Sequence, residues 1–307
     1  MKRKEDLIYD LRGGSVPKYL GLISVLVVCG LWSLPDPVQA QALLPYTIQL
    51  NRANLEKQGL ILAQEAAQLA RFQQFELAIP RAKMAVQLAP TNDKVWFLLS
   101  QLHVQRKDIP EAIASLTQAQ KLNPNNPDIL FALGSANFQQ KNYQLSVKYY
   151  QSGLKLRPND PEGLFNLGNT YYMLGRLPEA IAQLNQAANK DKKFWPAINN
   201  IGLIKYEQGD VKGAIKEWEK AIAIDQRAAE ALLALAVALY THGQRQQGLT
   251  KGEQALKIDQ RYADLDFLKE NLWGTKLLLD AKKFLELPQI RSALEMKEEI
   301  PSPIENQ

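Results

Sequence analysis

The chain has 307 residues, 46% hydrophobic and 22% charged, which is ordinary for a folded protein and too apolar for bulk disorder. Its one cysteine, Cys29, rules out an intramolecular disulfide and a cysteine-based zinc site, and two histidines, His103 and His242, leave little for a histidine metal site or triad. The net charge is +5, with 32 bases against 28 acids over residues 43–307, a balance that argues against nucleic-acid binding.

The N-terminus reads as a targeting segment. Lys2, Arg3, Lys4, Arg12 and Lys18 precede an uncharged apolar run from Tyr19 to Leu34, YLGLISVLVVCGLWSL. Pro35, Asp36 and Pro37 end any helix there, and Ala40-Gln41-Ala42 supplies a small-residue cleavage site. Residues 1–42 therefore read as a signal peptide cleaved after Ala42, or as a membrane anchor retained through residues 19–34. The run of 16 residues sits just below the ~17–25 that span a bilayer. In either case the basic end stays cytoplasmic, which places the body on the non-cytoplasmic side, in a periplasm or lumen. Cys29 reads as membrane filler, because Val28 before it and five more apolar-run residues after it do not suit lipidation. Residues 43–58, LLPYTIQLNRANLEKQ, read as a linker running into helix.

Beyond this the chain repeats itself. Pro90, Pro124 and Pro158 are 34 residues apart, in LAPTN, LNPNN and LRPND. The same count reaches Lys192, Gln226 and Gln260, in NKDKK, AIDQR and KIDQR, which read as degraded copies of the turn. Six units follow: 59–92, 93–126, 127–160, 161–194, 195–228 and 229–262. Each reads as two amphipathic helices joined by a turn. Turn residues stand where the helices must reverse, as in Gly175-Arg176, Gln208-Gly209-Asp210 and Lys141-Asn142. Pro127 and Pro161 fall where a helix begins, a place that does not need the missing N–H. One such unit cannot bury its own apolar face, so the units must stack.

The fourth unit carries Leu164, Leu167, Gly168, Tyr171, Ala180, Leu184 and Ala187 at unit positions 4, 7, 8, 11, 20, 24 and 27. The second, third and fifth units match in the same register. In this the chain resembles the tetratricopeptide repeat (TPR) family. The resemblance covers about 204 residues, and it implies an all-α fold: a right-handed superhelix, with the N-terminal apolar segment before it. The first and sixth units depart from the pattern. Glu65 takes an apolar position in the first, and Gly248 and Gly252 take helix positions in the sixth, as suits terminal units that cap a solenoid. After the repeats, residues 263–297 read as one or two capping helices, with Trp273 and the Leu277–Leu279 run buried against unit six. Residues 298–307 read as a disordered acidic tail.

The resemblance also implies a groove lined by the first helix of each unit. Carried over onto this chain, the groove positions give an aromatic surface with a cluster of amides: Phe131, Phe165, Asn166, Asn169, Tyr172, Asn199, Asn200 and Tyr206. An asparagine side chain both donates and accepts hydrogen bonds, so spaced asparagines can hold a peptide backbone without reading its sequence. Aromatic rings supply rigid contact area. The expected partner is a protein segment, with the membrane as a second contact if residues 19–34 are retained. A carboxylate clamp is not expected, because Lys94 and Arg71 are isolated cations.

No nucleophile elbow, dinucleotide fingerprint, P-loop or zincin motif occurs, so neither an enzyme nor a cofactor is expected. His103 reads as a packing residue at position 11 of unit two, and His242 as solvated in the turn of unit six. The layout, one apolar segment and then TPRs, is similar to assembly factors of photosynthetic membranes, of the protochlorophyllide-oxidoreductase-interacting type. The alternative is an exported periplasmic factor for envelope or polysaccharide assembly.

Overall fold

The structure is a computed structural model that describes residues 51–295. The chain divides into two units, Met1–Gln49 and Leu50–Gln307, and the described residues all fall in the second. The apolar run 19–34, the cleavage site at Ala42, the start of the 43–58 segment and the tail 298–307 lie outside the described residues. Among the described residues no helix is long and apolar enough to cross a membrane.

Six helix pairs follow one another at a constant interval. The first helices are α1 (Arg52–Arg71), α3 (Asp93–Gln105), α5 (Pro127–Gln139), α7 (Pro161–Met173), α9 (Trp195–Glu207) and α11 (Ala229–Thr241). The second helices are α2 (Phe75–Leu88), α4 (Ile109–Leu122), α6 (Tyr143–Leu156), α8 (Leu177–Lys190), α10 (Val211–Ile224) and α12 (Arg245–Ile258). A 3-10 turn at Gln260–Ala263 then leads to α13 (Leu265–Glu270), α14 (Thr275–Leu285) and α15 (Pro288–Glu295). The fold is all-α, a TPR-type solenoid.

Local chemistry sets these boundaries. The side chains of Asn92, Asn126 and Asp160 accept hydrogen bonds from the first backbone N–H groups of α3, α5 and α7. The degraded turns do the same work with another residue. Asp191, Asp225 and Asp259 accept from the N–H two residues on, at 2.8, 2.8 and 3.0 Å. Between the two helices of every unit, one residue takes the left-handed conformation: Gln73, Lys107, Lys141, Gly175, Gly209 and Gly243. They are 34 residues apart.

Packing within a unit couples a small residue to a large one. A Cβ on Gly134 would stand 2.9 Å from the Tyr150 ring, and one on Gly202 would stand 2.5 Å from Trp218. Trp218 is thereby fully buried, and its Nε1 donates to the Asn199 carbonyl at 3.2 Å. Burying a side chain of this size contributes about 2–3 kcal/mol. In unit six both partner positions are small, and the space is taken from outside the unit. A Cβ on Gly252 would meet Phe284 of α14 at 2.5 Å. Gly252 is thus a seat for the C-terminal segment.

The two ends are finished differently. In unit one, Glu65 and Gln68 are exposed where Leu99 and Leu102 are buried in unit two. Among the described residues no helix precedes α1 on that face, and polar side chains line it, with Glu65 pairing with Arg81 at 3.4 Å. At the other end α13, α14 and α15 cover unit six.

Candidate functional site

First helices of neighbouring units pack closely against one another, α1 on α3, α5 on α7, α7 on α9 and α9 on α11, whereas second helices do not. The first helices therefore line the inner, concave face. That face has three stretches.

Over units one to three no described residue covers it. A groove of about 910 Å³ runs between α1, α3 and α5. Phe97, Val104 and Ala132 supply its apolar floor, Gln101 and Ser135 its polar contacts, and Arg71 is the one charged side chain in the lining. A carboxylate clamp needs several converging cations, so this groove suits an uncharged segment.

Next comes a smaller cleft of about 230 Å³, lined by Ser135, Phe138, Phe165, Asn166, Asn169 and Asn200. Glu270, Asn271 and Leu272, at the C-terminal end of α13 and just beyond it, wall it off at the far side. Leu272 takes a left-handed backbone to make that turn, at φ 65°. The asparagines form a chain: Asn199 Nδ2 donates to Asn200 Oδ1 at 3.1 Å, and Asn200 Nδ2 donates to Asn169 Oδ1 at 2.8 Å.

Over units five and six the concave face is filled by the chain itself. α14 packs on α9 and α11. Tyr206 Oη donates to Asp280 Oδ2 at 2.7 Å, and burial first, then Asp280, raises the Tyr206 phenol above its ordinary pKa. Glu207 reaches α14 from 70 residues away. Its carboxylate accepts from the N–H groups of Lys276 (3.1 Å) and Leu277 (2.9 Å), capping a helix whose own N-cap, Gly274, has no side chain. A Cβ at Gly274 would collide with that carboxylate. Trp273 Nε1 donates to Glu230 at 3.1 Å.

The eight residues expected in the groove therefore divide. Phe165, Asn166, Asn169 and Asn200 come together in the small cleft. The Phe165 ring also meets Phe194 edge-on at 5.3 Å. Tyr172 is half-buried, and burial, with the Glu207 carboxylate nearby, pushes its phenol up to about 12. Phe131 is half-buried, with its ring over Gly153 and Gly163, so it packs α5 against α6 and α7. Asn199 and Tyr206 have no exposed surface and are corrected from groove to interior. The C-terminal segment lies over Tyr206, through Lys276 and Asp280 of α14, whereas Asn199 is enclosed by Asn200, Trp218 of α10 and Glu230 of α11. Of the run expected to be buried after the repeats, Trp273 and Leu277 are buried, but Leu279 is 58% exposed. His103 is buried and stands 3.4 Å from Asp108; His242 is exposed.

Glu207, Glu230, Asp280 and Gly274 escaped the sequence reading. One signal pointed to them. α11 is apolar on every face, AEALLALAVALY, and a helix of that kind is covered on all sides. Among the described residues no three His, Cys, Asp or Glu side chains are grouped to hold a metal ion.

Comparison with known proteins bears on the repeats. A family model described as tetratricopeptide repeat matches residues 97–161 and 132–194, and one described as TPR repeat matches 202–243. A model of the ChAPs (Chs5p-Arf1p-binding proteins) matches residues 23–125. No curated protein matches the chain. Among solved structures, PilW, a widely conserved type IV pilus biogenesis factor, is 21% identical with a TM-score of 0.60, covering 70% of this chain and 98% of its own. PilF of Pseudomonas aeruginosa is 13% identical with a TM-score of 0.57, covering 72% and 98%. MamA is 23% identical with a TM-score of 0.51, covering 54% and 96%. At such identities these likenesses concern the fold. The helix pairs over residues 97–194 and 202–243 match tetratricopeptide repeat models, and the stack they build has the fold of a tetratricopeptide solenoid.

Proposed function

We propose that this protein is an interaction scaffold that holds an uncharged segment of a partner protein in the open groove of units one to three. The observation that carries this reading is the contrast along the concave face. Among the described residues none occupies the groove where α1, α3 and α5 line it, whereas α14 occupies it where α9 and α11 do. The partner's chemistry follows from the lining: Phe97 and Val104 accept apolar side chains, and Gln101 and Ser135 can meet a peptide backbone. The amides of Asn166, Asn169 and Asn200 extend this polar track to the wall at Glu270–Leu272.

The membrane side of the proposal rests on residues 1–42. Their charge pattern supports a body exported to, or anchored on, the non-cytoplasmic side, where a scaffold of this kind would serve assembly. The layout alone supports the narrower reading of photosynthetic-membrane biogenesis.

The test is site-specific photo-crosslinking of the full-length protein in its native membranes. A photoreactive residue at Gln101 in the groove is expected to capture a partner segment that one at Lys121, exposed on α4, does not. Filling the groove with Ala132→Trp is expected to abolish that capture. The same partners from both positions, or capture that survives the filled groove, would overturn the reading.

A further inference from the structure

The cleft that α5, α7 and α9 form with the end of α13 differs from the neighbouring groove in size and in charge. Its volume of about 230 Å³ is below the roughly 300–1,000 Å³ of a small-molecule site, so it has room for one side chain rather than for a whole ligand. Ser135 of α5 lines both the cleft and the groove of units one to three, so a segment lying in the groove runs directly on to the cleft. Arg71 is the one charged residue in the lining of the groove, and Glu270 is the one charged residue in the lining of the cleft.

Among the described residues the Glu270 carboxylate has no ion-pair or hydrogen-bond partner. The helices around it do not supply one. α5 and α7 carry no lysine or arginine, and the one cation of α9, Lys205, pairs with Glu217 at 2.9 Å. Lys269, the residue before Glu270, is not part of the lining. Asn166 of α7 is half-buried, and its side-chain amide bonds to no other described residue, so its carbonyl oxygen is left to accept. Phe138 and Phe165 add aromatic surface. Each is held by a second ring met edge-on at 5.3 Å, Tyr143 and Phe194 respectively. An unpaired carboxylate, a carbonyl acceptor and aromatic rings together suit a cation. A guanidinium suits them best, because it is planar, stacks on rings and has five N–H donors and no acceptor, whereas an ammonium is a compact, strongly hydrated point charge.

We propose that the cleft is a subsite for one arginine side chain of the partner segment. This rests on the groove reading and adds a residue to it: the groove takes the uncharged stretch, and the arginine that adjoins that stretch enters the cleft. The stem and the plane of the guanidinium lie against Phe138 and Phe165, and its N–H groups are given to Asn166 Oδ1 and the Glu270 carboxylate. Arg71, on the α1 side of the groove, disfavours a cation at that end. The two charges therefore give the binding track a direction, with the arginine end of the segment at unit four. Specificity at this point comes from the C-terminal segment, because Glu270 lies outside the repeats.

The test uses a single blocked residue, so it does not depend on a segment filling the groove. Nα-acetyl-arginine methylamide is titrated into the full-length chain, in detergent micelles and with 15N-labelled asparagine side chains. The citrulline analogue, close in shape and without the charge, is the comparison. With arginine the side-chain amide signals of Asn166, Asn200 and Asn271 are expected to shift saturably, while that of Asn92, in the turn before α3, stays still. Citrulline is expected to bind about three- to tenfold more weakly. That advantage of arginine is expected to fall at least twofold in Glu270→Gln and to shrink at high salt. The absence of a saturable shift, equal binding of the two probes, shifts that include Asn92, or an advantage unchanged in Glu270→Gln would overturn the proposal. A second variant guards against misfolding of the first. Asn166→Ala is expected to weaken the arginine-induced shifts of Asn200 and Asn271, and undiminished affinity there would overturn the subsite as well. The two readings fail separately: partner capture at Gln101 without an arginine shift would remove the subsite and keep the groove, and an arginine shift without capture would do the reverse.

Discussion

The two halves of the solenoid use one repeat to different ends. In units one to three the concave face is a groove that no other described residue fills, the turns between units run through Pro90, Pro124 and Pro158, and the left-handed turn residues are Gln73, Lys107 and Lys141. Units five and six, by contrast, have a concave face sealed by α14. From unit four on, the left-handed residues are Gly175, Gly209 and Gly243, and Asp191, Asp225 and Asp259 make the turns. A non-glycine residue in the left-handed region costs about 1–2 kcal/mol. The open half therefore carries turn strain that the filled half avoids, and the filled half gains a core that wraps α11 on all sides. The comparison teaches that a solenoid assembled from equal units need not be equally stable or equally accessible along its length.

This contrast can be broken at its strongest point first. Phe284 is fully buried in the space left by Gly252, so Phe284→Ala is expected to cost about 3–5 kcal/mol in urea unfolding. A cost below about 1 kcal/mol would mean that the C-terminal segment is a loose appendage and the two halves are alike.

Next comes pH. The Glu230 carboxyl, raised from 4.5 to about 7 on folding, binds its proton more tightly in the folded chain. Its contribution is complete below pH 4.5 and is lost as the pH rises to about 7. The difference corresponds to about 3 kcal/mol, at about 1.4 kcal/mol per pH unit. Wild type minus Glu230→Gln stability, measured at pH 5 and pH 8, is expected to fall by an amount of this order. A difference independent of pH would remove Glu230 from the account.

Smaller still is the cap from a distance. Glu207→Ala removes the acceptor for Lys276 and Leu277 and is expected to cost about 1–2 kcal/mol. Faster amide exchange at those two residues would localise the loss to α14, whereas unchanged exchange there would show that the helix is held by packing alone.

The smallest effect sharpens the comparison from the open side. Gln73→Gly, Lys107→Gly and Lys141→Gly each relieve a left-handed residue, offset in part by the entropy of glycine in the unfolded chain, for a net gain of about 0.5–1 kcal/mol. Gly175→Ala, Gly209→Ala and Gly243→Ala should move melting the other way. No gain at the first three positions would mean that the open half carries no turn strain.

Much of the fold was legible because a repeat makes the chain its own control. The interval from Pro90 to Pro158 places every unit, and the paired small and large positions, such as Gly202 and Trp218, report how closely two helices approach. Turn chemistry is local, so Asn92 and Asp160 betray helix starts through bonds spanning two or three residues. The candidate site was legible only in part. Phe165, Asn166, Asn169 and Asn200 lie on the same lining because the repeat register alone puts them there. Asn199 and Tyr206 occupy equivalent registers and are buried.

The sequence by itself determined the units, their helices, their turns and the face each helix would offer. Those are consequences of contacts between residues a few positions or one repeat apart. Only the tertiary structure decided which stretch of that face stays open. That choice depends on Glu207 meeting α14 across 70 residues, on Tyr206 meeting Asp280 across 74, and on Gly252 receiving Phe284. No periodicity announces contacts of this kind, because the segment that makes them lies outside the repeat.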